Sequence, residues 1–239
     1  QHEAQTGSRK SEERYACPSA AGGLRMIASG LEPELTAEAA RLACLGAGAK
    51  VIGVYSYELT EEDVQNIQAA RPDIMLLTGG TDGGNSACIL HNAEALSKID
   101  PICPIVVAGN RSASSKCAQL LEGWQVKICE NVMPRFGAIN IEPTQETIRS
   151  IFLDRIIQAK GLSQAMELIS GIMMPTPAAM LAAMKLLANG TETERGIGDL
   201  IAVDLGGATT DVYSICDGAP TRLNTILKGL VEPRNKRTV

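Results

Sequence analysis

The residues best suited to chemistry stand near position 205. Ile201-Ala202-Val203-Asp204-Leu205-Gly206-Gly207-Ala208-Thr209-Thr210-Asp211-Val212-Tyr213-Ser214-Ile215 is an apolar strand running into an acid, two glycines, two hydroxyls and a second strand. This order predicts a β-hairpin with a polar tip. Gly206 and Gly207 present backbone N–H groups to phosphate oxygens, and Thr209 and Thr210 add hydroxyl donors. Asp204, at the strand end, is placed to hold a Mg²⁺-bound water or to orient a hydrolytic one. The same residues also describe an ordinary hairpin whose Asp and Thr side chains satisfy a turn. The joint presence of acid, glycines and hydroxyls favours phosphate chemistry.

A second glycine-rich stretch, Thr78-Gly79-Gly80-Thr81-Asp82-Gly83-Gly84-Asn85, follows the apolar run Ile74 to Leu77 and precedes a helical pattern. Small residues there let amides face an anion, and the helix N-terminus beyond attracts negative charge. No Gly-Lys-[Ser/Thr] follows, and the spacing is not Gly-x-Gly-x-x-Gly, so neither a Walker loop nor a dinucleotide fingerprint is present. The alternative is a tight strand-to-helix turn that needs positive φ at several glycines. Gly46-x-Gly48 and Gly196-x-Gly198 each precede a strand and read as turns.

Positioning these groups requires a sheet. Apolar runs at Val51 to Tyr55, Ile74 to Leu77, Ile105 to Ala108 and Val126 to Ile128 alternate with helical patterns at about 60–70, 85–98 and 112–122, the signature of parallel βαβ units. Their continuous apolar character predicts a sheet covered on both faces. Ser19 to Gly30 is a further strand candidate. Thr36 to Leu45 reads as a helix with Thr36 as its N-cap and Gly46 as its stop. After residue 142 the pattern is helical: Thr144 to Lys160, closed by Gly161, and Ala178 to Ala188 after Pro175-Thr176-Pro177. Gln1 to Arg14 has almost nothing to bury. The expected division is a polar arm (1–16), a Rossmann-like α/β region (17–142), and a region of helices plus a phosphate-binding β-hairpin (143–239).

Composition narrows the classes. The chain has 239 residues, 45% hydrophobic and 3% aromatic, with 23 glycines, which excludes disorder and argues against an aromatic-rich sandwich or barrel. A net charge of -5 without basic runs excludes nucleic acid as an expected partner. No apolar stretch reaches membrane-spanning length. The seven cysteines lack a Cys-x-x-Cys pair and read as reduced core thiols of a cytoplasmic protein. His2 and His91 lack metal-ligand spacing. A start at Gln1 and an end at Lys236-Arg237-Thr238-Val239 set the expectation of an internal portion of a longer protein.

Asp204-Leu205-Gly206-Gly207-Ala208-Thr209-Thr210-Asp211 resembles the second phosphate motif of the actin, sugar-kinase and heat-shock chaperone ATPase superfamily. The wider chain, through Ser19-Ala20-Ala21-Gly22-Gly23-Leu24-Arg25, Gly53 to Thr60, Gly79 to Asn85 and Met174-Pro175-Thr176-Pro177, resembles the MutL family of glutamate (methylaspartate) mutase accessory proteins, distinct from mismatch-repair MutL. The resemblance implies an actin-like ATPase hairpin and a reactivating chaperone for an adenosylcobalamin-dependent mutase. It implies ATP and Mg²⁺ as cofactors of the full-length protein, and the mutase subunits as partners. In it Asp204 matches the metal- and water-orienting acid, and Gly206, Gly207, Thr209 and Thr210 match the phosphate-gripping tip. Ala208 replaces a third glycine common in chaperone members. The family's first phosphate hairpin, Asp-x-Gly-[Ser/Thr], is not in this sequence and no adenosine-binding glycine pair follows residue 215, so the chain by itself is expected to bind ATP weakly. Two other readings stay open: a relative of ATP-dependent hydantoinases or oxoprolinases, which use a similar hairpin, and a non-catalytic partner-binding module.

Overall fold

A computed structural model describes residues 15–17, 23–158, 171–172, 174–207, 209–219, 222, 224–226 and 229–239. In chain order the elements are β1 (Tyr15–Ala16), β2 (Leu24–Gly30), α1 (Thr36–Gly46), β3 (Ala49–Ser56), α2 (Glu61–Ala70), β4 (Ile74–Leu77), α3 (Ala87–Ser97), β5 (Ile105–Val107), α4 (Arg111–Leu120) and β6 (Val126–Ile128). They continue with α5 (Glu142–Gln158), β7 (Gly171–Ile172), α6 (Thr176–Asn189), β8 (Leu200–Leu205), β9 (Thr210–Ile215) and β10 (Asn235–Thr238). The arm at Gln1 to Arg14, and Gly161 as a helix stop, lie outside the described residues.

Five strands form one parallel sheet in the order β3-β2-β4-β5-β6, as the spaced apolar runs predict. Alternate side chains of the central strands enter two separate cores. Met26, Ala28, Ile74, Leu76 and Val106 pack with α1 and with Ile148, Ile151 and Phe152 of α5. Ile27, Met75, Leu77, Ile105 and Val107 pack with Val64 and Ile67 of α2, Ile89 of α3 and Cys117 of α4. A strand buried on both faces has no polar side to show, which is why these runs are uninterrupted. Each such Leu or Ile stabilises the fold by about 1.5–3 kcal/mol through burial.

The helix starts follow local chemistry. Thr60 forms a capping box on α2: its hydroxyl accepts from the Asp63 amide at 3.1 Å, and the Asp63 carboxylate accepts from the Thr60 amide at 2.9 Å. The helix ends with Arg71 in the left-handed region, followed by Pro72. Thr36 departs from expectation. It is the first residue of α1 rather than its cap, and its Oγ1 accepts from the amides of Leu31 (2.7 Å) and Glu32 (3.2 Å). The hydroxyl thus closes the β2–α1 turn, whose backbone amides compete for it more closely than the helix does.

A second sheet is antiparallel, in the order β10-β9-β8. β8 and β9 form the hairpin that the sequence predicts at 200–216; β10, from the polar segment Asn235-Lys236-Arg237-Thr238, is an addition. Leu181 and Ala188 of α6, with Met180 and Met184, pack against Tyr213 and Ile215 of β9. Val212 lies on the opposite face from Ile215, since positions 212 and 215 differ in parity along the strand.

Two arginines tie α1 to its surroundings. Arg149 of α5 donates to the Gly46 carbonyl at 3.1 Å, and Arg237 of β10 donates to the Leu45 carbonyl at 3.0 Å and the Ala49 carbonyl at 2.8 Å. The last turn of α1 has no basic residue of its own. Cations from elsewhere therefore meet its terminal carbonyls, that of Leu45 alongside the Gly48 amide at 3.0 Å, and the negative end of its dipole.

Candidate functional site

The hairpin end brings together Asp204, Gly206, Gly207, Thr209 and Thr210. The β8–β9 register sets Asp204 directly opposite Asp211, and Leu205 opposite Thr210. Two carboxylates facing each other across a ladder repel unless one is neutralised. Asp211 is the neutralised one: its Oδ1 accepts from Arg237 Nη2 at 2.6 Å and Nε at 2.9 Å, with both side chains nearly excluded from water. Thr209 donates to the other Asp211 oxygen at 3.2 Å. Asp204 is half-buried and has no hydrogen-bonding or ion-pair partner among the described residues. One carboxylate is thereby held within the fold, and its neighbour has no such partner among the described residues.

The tip beside Asp204 is open. Gly206 and Gly207 are exposed, and a Cβ built on Gly207 meets nothing within 4 Å. The Gly206 amide donates to the Thr209 carbonyl at 2.9 Å, closing the turn. Thr210 is exposed at the start of β9. The Thr209 hydroxyl gives its single proton to Asp211, so donation to a phosphate oxygen requires it to rotate away. Tyr213, buried on the same face as Asp211, has its phenol pushed up by burial and stays neutral. Ala208 lies outside the described residues. No group of three or more His, Cys, Asp or Glu side chains among the described residues is placed to hold a metal ion. A Mg²⁺ here fits only as an ion held through water by Asp204 and completed by phosphate oxygens, a common arrangement for this cation.

The loop at Gly79 to Asn85 sits at the end of β4. Gly80 and Gly83 have φ of 70° and 73°, and a Cβ on Gly80 would lie 1.9 Å from the Asn85 carbonyl oxygen, so glycine is required there. Two buried asparagines pin the loop. Asn110 accepts from the Gly83 amide at 3.1 Å, donates to the carbonyls of Gly84 and Asn85, and caps α4 through the Ser112 amide at 3.0 Å. Asn131 donates to the Gly80 carbonyl and to Asp82, each at 3.0 Å. The Asp82 carboxylate also accepts from the Arg111 amide at 2.9 Å, and Asn85 accepts from the Cys88 amide at 3.2 Å. The N-terminal amides of α3 and α4 nearest this loop are thus already met by side-chain oxygens. Thr81 is half-buried and hosts the Gly84 amide on its carbonyl.

Sequence reasoning did not assign Arg237, the pairing of Asp211, or the pinning by Asn110 and Asn131. Asp211 stood inside the motif, and its acid beside Thr209 was the available signal; the other three residues carried none. No helix of the described residues is long and apolar enough to cross a membrane.

The MutL protein family matches residues 1–239, and the chain belongs to that family. A protein of Clostridium tetanomorphum named "Protein MutL" is 54% identical over 229 residues, which are 95% of this chain and 50% of that relative. The chain thus spans about half the length of the curated relative it matches.

Proposed function

We propose that this chain is the phosphate-gripping part of an ATP-hydrolysing accessory protein that reactivates an adenosylcobalamin-dependent mutase, with glutamate mutase as the enzyme served. The observation that carries the reading is the hairpin end: a half-buried Asp204, without a partner among the described residues and beside two exposed glycines, set against an Asp211 already neutralised by Arg237. Membership of the MutL family supports the link to a mutase. In this role Gly206 and Gly207 face phosphate oxygens with backbone amides, Thr209 and Thr210 supply hydroxyls, and Asp204 orients water. A Mg²⁺ bound with the nucleotide would neutralise phosphate charge as it develops. The loop at Gly79 to Asn85 serves this reading as a rigid support, since the amides of Asp82, Gly83 and Gly84 and the Asp82 and Asn85 side chains are bonded within the protein.

The test is Asp204→Asn in the full-length protein. The amide is nearly isosteric, so melting should hold while ATP turnover falls about 10²- to 10⁴-fold, the range typical of general-base or orienting groups. Reactivation of an inactivated mutase should fall with it. Wild-type turnover in the variant would overturn the assignment.

A further inference from the structure

The order β3-β2-β4-β5-β6 makes β2, the first strand of this sheet along the chain, an inner one with later strands on both sides. From β2 the chain turns to α1 on one face of the sheet, and from β4 it turns to α3 on the other. The two loops diverge above neighbouring carboxyl ends. In open α/β sheets this point of reversal is where ligands bind. Here it holds a cavity of about 230 Å³, with Leu31, Leu35, Met133 and Phe136 as apolar walls and Glu32 and Asn85 as polar ones. No Lys, Arg or His among the described residues lines it.

Phe136 is 80% exposed, whereas the chain's other phenylalanine, Phe152, is 4% exposed in the core. A tight turn presents its ring: the Ala138 amide donates to the Arg135 carbonyl at 3.0 Å, and Gly137 has φ of 73°. The Asp82 amide, donating to the Pro134 carbonyl at 3.0 Å, ties that turn to the glycine loop. At the carboxyl end of β3, Tyr57 has φ of 67°, a region unfavourable for an aromatic residue, and its hydroxyl lies 3.5 Å from the Glu32 carboxylate. Strain of this kind concentrates at ligand sites. The Asn85 oxygen accepts from the Cys88 amide, which leaves its Nδ2 as a donor without a partner among the described residues.

We infer that this crevice binds one planar nitrogen heterocycle of about the size of a purine, stacked on Phe136, with Glu32 accepting from its N–H groups and Asn85 donating to a ring nitrogen or carbonyl. The size follows from the cavity, which is smaller than the roughly 300–1,000 Å³ that drug-sized ligands fill. An aromatic face at the rim selects a flat ring. The carboxylate selects N–H donors, and the lack of a lining cation means that the ring, rather than a phosphate, is the group recognised. The inference is independent of phosphate chemistry at the hairpin tip.

The experiment titrates the full-length protein with 2-aminopurine, whose fluorescence is quenched on stacking. Saturable quenching should give a Kd below about 1 mM. Phe136→Ala should weaken it about 5- to 150-fold, the range for loss of a stacking face, and Glu32→Ala roughly tenfold. Both side chains are exposed, so the variants should fold and keep their ATP turnover. Caffeine, a purine without N–H groups, should compete at least about tenfold more weakly than unlabelled adenine. At ten times Kd, 2-aminopurine should slow hydrogen exchange in residues 31–36 and 80–85 about tenfold. No saturable binding, binding unchanged within about twofold in Phe136→Ala, or caffeine competing as well as adenine would each overturn the inference. The exchange measurement needs no substitution, so unchanged exchange in both loops would overturn it even if a variant failed to fold. None of these results bears on Asp204, whose test reads turnover.

Discussion

Arg237 offers the sharpest test of how the two sheets are joined. Its guanidinium makes four polar contacts: two to Asp211, at 2.6 and 2.9 Å, and one each to the Leu45 and Ala49 carbonyls. Arg237→Met keeps most of the stem volume and removes all four. The Asp211 carboxylate is then left buried with only the Thr209 hydroxyl, a situation that costs about 3–5 kcal/mol. The asymmetry matters more than the attraction, because the main loss is the stranded charge. Asp211→Leu, which strands the guanidinium, should cost a similar amount. The double variant strands no charge and should be less damaged than either single change. It retains the loss of one donor at the Ala49 carbonyl and one at the Leu45 carbonyl, which keeps the Gly48 amide at 3.0 Å, a penalty of about 1–3 kcal/mol at most.

Unfolding curves of a protein with several units mix transitions, so peptide-resolved hydrogen exchange on the full-length protein is the better assay. At 1.4 kcal/mol per tenfold, each single variant should speed exchange of β9 and β10 by about 10²- to 10⁴-fold. The double variant should fall below that. Single variants that alter exchange less than about fivefold, or a double variant that shows the product of both effects, would refute the argument that this buried pair holds the hairpin to the α1–β3 turn.

Further outcomes follow from other features. Asn110→Ala should lower stability by about 2 kcal/mol, through the lost cap and the unpaired loop carbonyls, and melting measures it. Gly80→Ala should be far more damaging than Gly83→Ala, since only the former drives a Cβ into the Asn85 carbonyl; comparative melts decide. Burial pushes the Cys44 and Cys103 thiols up to about 12 from 9.0. The folded state holds those protons more tightly, so this stability is complete below pH 9 and is lost as pH rises toward 12. By pH 10 the loss is about 1.4 kcal/mol per thiol, and melts at pH 8 and 10 should show less of it in Cys44→Ala/Cys103→Ala. Calorimetry on the 239-residue chain should find ATP affinity weaker than about micromolar; tighter binding would move the nucleotide site away from the hairpin tip.

The parallel sheet was legible because strands such as Ile74 to Leu77 and Ile105 to Val107 are buried on both faces and so have an apolar residue at every position. The hairpin was legible because glycines and hydroxyls between two strands leave few other structures. β10 was not: Asn-Lys-Arg-Thr has the composition of a solvated loop, and what makes it a strand is Arg237 meeting an acid and two carbonyls distant in sequence. Thr36 misled for a local reason, since a hydroxyl ahead of an apolar helix looks like a cap until the Leu31 and Glu32 amides are seen to claim it. The asparagines that lock the glycine loop reach it across 25 to 51 residues, beyond any local pattern.

The Arg237 contacts also set a clock on synthesis. The bonds to Leu45 and Ala49 span 192 and 188 residues. The five-stranded sheet has all its strands once β6 has left the ribosome, yet the carbonyls at the end of α1 wait for a residue more than a hundred positions later. At about 5–20 residues per second that interval is roughly 5–20 s. During it, the places of Arg237 on the Leu45 and Ala49 carbonyls are held by water, while the turn keeps its own bond from the Gly48 amide to the Leu45 carbonyl at 3.0 Å. The last strand therefore acts as a latch on the first crossover, and translation past residue 237 is the step that closes it.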